Sequence, residues 1–154
     1  MNKMKKYLAE CIGTMALVLF GCGVAVATGA SDNAGIIATA LGFGLVCLTM
    51  SFTVGHVSGC HINPAVSFAM WLDKRITFGE FIGYFLSQII GAAIGSLSVA
   101  LFFGSFDDLG ANTVQPVLTS AYGNASIWVA LAVETLLTFA FVFAVLGVTE
   151  KTEN

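Results

Sequence analysis

Four stretches of this chain, roughly residues 7–28, 35–54, 81–103 and 127–148, are strongly apolar and hold at most one charged side chain each. A bilayer core of ~30 Å is crossed by about 20 helical residues, so each stretch is long enough to span. Composition agrees: 10% of the residues are charged, whereas a soluble domain carries about 25%. The expected fold class is therefore an all-α membrane protein. The first apolar run follows Lys3, Lys5 and Lys6 and resembles a secretory leader at first sight. It is too long for such a leader's apolar region and lacks a credible cleavage site, so it reads as a retained helix.

Between the second and third spans lies a shorter apolar piece, residues 64–72. At 1.5 Å per residue it reaches only ~14 Å, half a bilayer. It can enter the membrane without crossing it. The residues before it, Gly55-His56-Val57-Ser58-Gly59-Cys60-His61-Ile62-Asn63, are polar and glycine-rich. Non-helical backbone cannot face lipid, because its N–H and C=O groups would lack partners. That loop must line a cavity or be packed inside protein, and it is the place to look for function.

Charge placement supports four crossings with a re-entrant half-helix. Lys3, Lys5, Lys6, Lys74, Arg75 and Lys151 then fall on one side of the membrane, which the positive-inside rule makes cytoplasmic. Both termini are expected there, in a multi-pass protein of the cell membrane. Asp32, Asp107 and Asp108 fall in the two external loops. The four cysteines (Cys11, Cys22, Cys47, Cys60) show no CxxC spacing and read as small buried hydrophobes. No metal-ligand cluster, nucleotide loop or catalytic triad is visible, so no cofactor, metal or nucleic-acid partner is expected. A membrane enzyme using His56, His61 and a glutamate would lack an activated nucleophile.

The chain also echoes itself. Ala9-Glu10-Cys11-Ile12-Gly13-Thr14 resembles Val133-Glu134-Thr135-Leu136-Leu137-Thr138, and at the same shift Val18 matches Val142 and Gly23 matches Gly147. Span one runs outward and span four inward, so the echo is inverted, an arrangement found in transport proteins with a site near the midplane. The chain holds one full repeat and the first helix of a second.

Asn63-Pro64 joins an N-cap side chain to a residue suited to the first helical turn. By itself such a pair is usually an ordinary helix cap. Here the half-length helix would aim its positive dipole end into the membrane interior. Gly59 and Gly55 permit an extended backbone upstream whose carbonyls can face a pore. Water or an uncharged alcohol can use both acceptors and donor; a cation would be repelled by the helix end.

Taken with the helix spacing, Ser58-Gly59-Cys60-His61-Ile62-Asn63-Pro64-Ala65-Val66 resembles the first Asn-Pro-Ala loop of the aquaporin (major intrinsic protein) family. The Ala9-to-Thr14 run is similar to the first helix of that family. The resemblance covers the whole chain, through the fourth helix of such channels. It implies a pore in which the Asn63 amide donates to single-file solute, with Pro64 and Ala65 completing the motif. The carbonyls of Gly59, Cys60, His61 and Ile62 would form an acceptor ladder. Phe43 matches the aromatic of the outer filter, where Phe is typical of water-selective members; the alternative is a plain packing Phe. Cys60 stands where many relatives have Gly or Ala.

Glu10 and Glu134 are intramembrane carboxylates and therefore functional flags. The resemblance implies that both brace re-entrant loops: Glu134 the loop carrying His61, Glu10 a second loop absent from this chain. His56 and His61 read as loop-organising. Gly83, Ser87, Gly91 and Gly95 form a small-residue row that lets helices approach closely, within the chain or toward another subunit, and Gln88 can bond across helices.

The family pattern is incomplete here: a second Asn-Pro-Ala loop, the Arg after it and the other filter residues are absent. The expectation is a truncated channel for passive movement of water or small neutral solutes through the lipid bilayer. The resemblance implies a homo-oligomer, a tetramer, or else assembly with a complementing C-terminal half. The alternative is a non-conducting fragment that associates with full-length channels.

Overall fold

The computed structural model describes residues 2–30, 32–111, 113–114 and 116–150; Lys151 of the one-sided charge pattern lies outside them. The described residues form six α-helices: α1 (Lys3–Thr28), α2 (Asn33–Ser58), α3 (Pro64–Leu72), α4 (Phe78–Phe103), α5 (Pro116–Tyr122) and α6 (Ser126–Val148), with a 3₁₀ turn over Gly123–Ala125 before α6. No strand occurs among the described residues. Among the described residues, four segments are long and apolar enough to cross a membrane, the last of them running from Pro116 to Val148. The short α5 falls in a stretch that the sequence reading leaves as loop.

The helices start and stop where local chemistry dictates. Asp32 caps α2 by accepting from the Gly35 N–H at 2.7 Å. Thr77 and Glu80 form a reciprocal capping box at the start of α4, satisfying two otherwise orphaned donors. Helix α2 ends at Gly59, whose φ of +89° is a conformation that costs glycine little.

The chain forms two compact units, Met1–Ala111 and Asn112–Asn154. In the first, α1 packs on both α2 and α4, and α3 packs on α4. Close approach of α1 and α4 depends on the small-residue row. A methyl group at Gly91 would collide with the Cys11 carbonyl, and one at Gly95 would sit 2.8 Å from the Met15 carbonyl oxygen. Gly83 meets the Tyr7 ring in the same way. The row therefore serves packing within the chain. In the second unit, α5 leads through the 3₁₀ turn into α6.

Burial in the first unit takes in polar side chains beside apolar ones such as Val66 and Val99, and leaves large apolar side chains outside. Phe52, Leu101 and Phe102 are exposed, while Glu10, Ser67, Gln88 and Tyr84 have at most 1% of their surface accessible. Hydrocarbon gives apolar side chains no reason to turn inward, whereas polar groups must find partners inside the protein. At one end of the unit, Lys6 of α1 pairs with Glu80 of α4 at 2.8 Å, so the basic start of α1 lies beside the start of α4, which follows Lys74 and Arg75. Trp71 stacks on Phe81 nearby, with ring centroids 5.7 Å apart.

Candidate functional site

After Gly59 the backbone takes an irregular course. Cys60 and Ile62 have φ of +51° and +40°, left-handed values that cost a non-glycine residue about 1–3 kcal/mol each. Such strain persists only where the surroundings over-determine the conformation, and here they do. The N–H of His61 donates to Glu10 Oε1 at 2.9 Å and that of Ile62 to Glu10 Oε2 at 2.6 Å. Consecutive N–H groups converge on one carboxylate, as in the backbone nests that bind anions. The Ser58 hydroxyl adds a third donor at 2.6 Å and Gln88 Nε2 a fourth at 2.8 Å. Each carboxylate oxygen thus accepts two hydrogen bonds, which offsets the burial of Glu10.

The other anchors are hydroxyls and an amide. Tyr84 donates from its hydroxyl to the Ser58 carbonyl at 2.6 Å, fixing the last turn of α2. Its ring meets His61 edge-on, with centroids 4.9 Å apart. Gln88 Nε2 also donates to Ser67 Oγ at 2.9 Å, and Ser67 Oγ lies 3.1 Å from His61 Nδ1. The Ser58 oxygen in turn accepts from the Cys60 N–H at 3.0 Å.

With the N–H side of the loop held inward, its carbonyls are left over. Among the described residues, no donor reaches the carbonyl oxygens of Gly59, Cys60, His61 or Ile62. Asn63 then caps α3: its Oδ1 accepts from Ala65 N at 2.7 Å and Val66 N at 3.4 Å. Pro64 occupies the first helical turn. Since Oδ1 is committed to the cap, Nδ2 is the Asn63 atom left to donate, and it has no acceptor among the described residues. The result is four acceptors in series ending at a fixed donor and the positive end of a helix.

Glu10 requires a correction to the sequence reading. The resemblance assigns it to a second re-entrant loop; it instead holds the loop of its own repeat, through His61 and Ile62. The physical reason is the close α1–α4 contact, which sets Glu10 beside Gln88 and beneath the α2–α3 connection. Glu134 lies in mid-α6 of the second unit. Phe43 of α2 is half-buried and its ring lies against Gly21 of α1. His56 is exposed in the last turn of α2 and forms no hydrogen bond or ring contact among the described residues. Thr14, one turn beyond Glu10, is buried with its hydroxyl unpartnered.

Sequence reasoning missed Tyr84, Ser58 and Ser67. Ser67 carried a readable signal, since it follows Asn63 by one turn of α3, on the face that carries the cap. Tyr84 sits four residues before Gln88, on the same face of α4.

Similarity to known proteins agrees with this geometry. The family model described as "Major intrinsic protein" matches residues 1–154. Aquaporin Z of Bradyrhizobium diazoefficiens is 33% identical over 153 residues, covering 95% of this chain and 63% of that protein. Aquaporin Z of Photorhabdus laumondii subsp. laumondii is 33% identical over 156 residues, covering 96% and 67% respectively. The chain therefore spans about two thirds of the length of these curated relatives.

Proposed function

The chain belongs to the major intrinsic protein family, and from that premise we propose that it forms the wall of a passive pathway for water across the bilayer. The observation that carries this reading is the row of unpartnered carbonyls from Gly59 to Ile62, ending at the free Asn63 amide. Water can donate to each acceptor in turn and accept from Asn63 Nδ2. A cation that used the same carbonyls would meet the positive end of α3. Small uncharged solutes with a hydroxyl group satisfy the same groups, and Phe43 would narrow the outer entrance in favour of water.

The remaining assignments follow from the same premise. The basic start of α1 and the Lys74–Arg75 turn before α4 face the cytoplasm, with both termini on that side. Because Glu10 serves the loop of its own repeat, the inverted echo gives Glu134 the same task toward a counterpart loop supplied from outside these residues. The assembly is a homo-oligomer, a tetramer as in the family, or a complex with a complementing C-terminal half.

Osmotic shrinkage of lipid vesicles containing the purified chain tests the reading. Shrinkage faster than that of empty vesicles, slowed by Asn63→Leu, is the expected result. A rate equal to that of empty vesicles would exclude conduction by this chain alone. Recovery of flux on adding the C-terminal part of a relative would then assign the pathway to the assembled pair.

A further inference from the structure

The hydrogen bonds behind the loop run in one direction, and their direction decides where the proton sits on His61. Glu10 accepts four hydrogen bonds, one of them from Gln88 Nε2. Reversing the Gln88 amide would place two oxygens 2.8 Å apart, so Glu10 sets its orientation. The other Nε2 hydrogen then donates to Ser67 Oγ at 2.9 Å. Ser67 has no accessible surface, and the one acceptor in reach of its own hydroxyl hydrogen, among the described residues, is His61 Nδ1 at 3.1 Å.

We infer that Gln88 and Ser67 are positioning residues that form an ordered donor chain, Gln88 to Ser67 to His61 Nδ1, and hold the imidazole as its Nε2–H tautomer. A proton on Nδ1 would give Ser67 Oγ two donors and leave its hydroxyl hydrogen without an acceptor in a fully buried site. The ring is also held by its edge-on contact with Tyr84. The Nε2 edge borders Gly59: a methyl group built there would lie 3.3 Å from Nε2. His61 is itself buried while Gly59 is exposed, so the Nε2–H lies against Gly59, where the loop meets its open side. It offers permeating solute a second fixed donor, ahead of Asn63. Placing that donor in a water pathway rests on the function proposed above; the tautomer and its cause do not.

Nitrogen NMR of the full chain labelled with ¹⁵N-histidine, in lipid nanodiscs at neutral pH, reads the tautomer directly. His56→Gln removes the other histidine and assigns the signals. The expected spectrum has Nε2 protonated and Nδ1 unprotonated, with Nδ1 displaced by the hydrogen bond it accepts. Ser67→Ala should return Nδ1 to the position of a free acceptor. Gln88→Met should shift it in the same direction by less, because Ser67 keeps its donor but loses its orientation. A proton on Nδ1 in the parent chain, or an Nδ1 signal unmoved by Ser67→Ala, would overturn the inference. Neither readout needs flux, so a chain that fails to conduct leaves this test standing.

Discussion

Glu10 and Glu134 occupy equivalent places in the two echoing segments, each with a threonine one turn later, yet each within its own unit has different surroundings. Glu10 has no accessible surface and accepts from four donors. Glu134 belongs to a unit made of α5, the 3₁₀ turn and α6, and accepts no hydrogen bond among the described residues of that unit. The glycines tell the same story. Gly91 has the Cys11 backbone where a side chain would go, whereas Gly147 of α6 has nothing within 4 Å of that point. A motif of this kind specifies a capacity to brace. Whether it braces depends on the helix and loop packed against it.

The sharpest way to break the comparison is to exchange each carboxylate for its amide. Glu10→Gln replaces one acceptor oxygen with an NH₂ group facing donors, so two buried donors lose their partner at about 1–3 kcal/mol each. Thermal unfolding in detergent, followed by circular dichroism, should show a loss of roughly 2–6 kcal/mol. The matching Glu134→Gln should change stability by less than ~0.5 kcal/mol, as expected where no specific contact is removed. Equal effects at the two sites would erase the distinction drawn between them.

Close approach of α1 to α4 delivers Gln88 to Glu10, and it can be tested separately. Gly91→Val forces the α1 backbone away and should cost about 3 kcal/mol, in the upper part of the range for overpacking. Gly147→Ala, in the open surroundings of α6, should be neutral or slightly stabilising, by up to ~1 kcal/mol through helix propensity. Tyr84→Phe removes one hydrogen bond to the Ser58 carbonyl and keeps the ring; about 1 kcal/mol is expected in the same assay. Lys6→Met should cost less than ~1 kcal/mol, because the Lys6–Glu80 pair is partly exposed.

Much of this was legible in the sequence, and the reasons are physical. Four apolar runs with few charges leave a chain little choice but membrane helices. The residues before Asn63 had to be irregular backbone, because glycines and a helix-starting Asn-Pro stand where a span would otherwise continue. Glu10 was marked by the cost of a carboxylate in an apolar helix. Its partner was read wrongly because the pairing is set by the α1–α4 approach, a tertiary distance that Gly91 and Gly95 allow but do not announce. Tyr84, Ser58 and Ser67 were hidden for a related reason. A tyrosine or serine in an apolar helix is common, and only the geometry shows which ones point at a loop. The left-handed turns at Cys60 and Ile62 contradict residue preference. They exist because Glu10 holds the N–H groups of His61 and Ile62 and Ser58 Oγ that of Cys60.

That holding is the central claim, and amide hydrogen exchange at His61 and Ile62 measures it most directly. In the parent chain in nanodiscs, both amides should exchange as slowly as those in the middle of α1 and α4. His61 and Ile62 use different oxygens of Glu10, so Glu10→Gln should speed the amide that meets its NH₂ group by at least tenfold, equivalent to ~1.4 kcal/mol of local stability. Exchange in the parent as fast as at the exposed 105–109 turn, or rates unchanged by Glu10→Gln, would contradict the account.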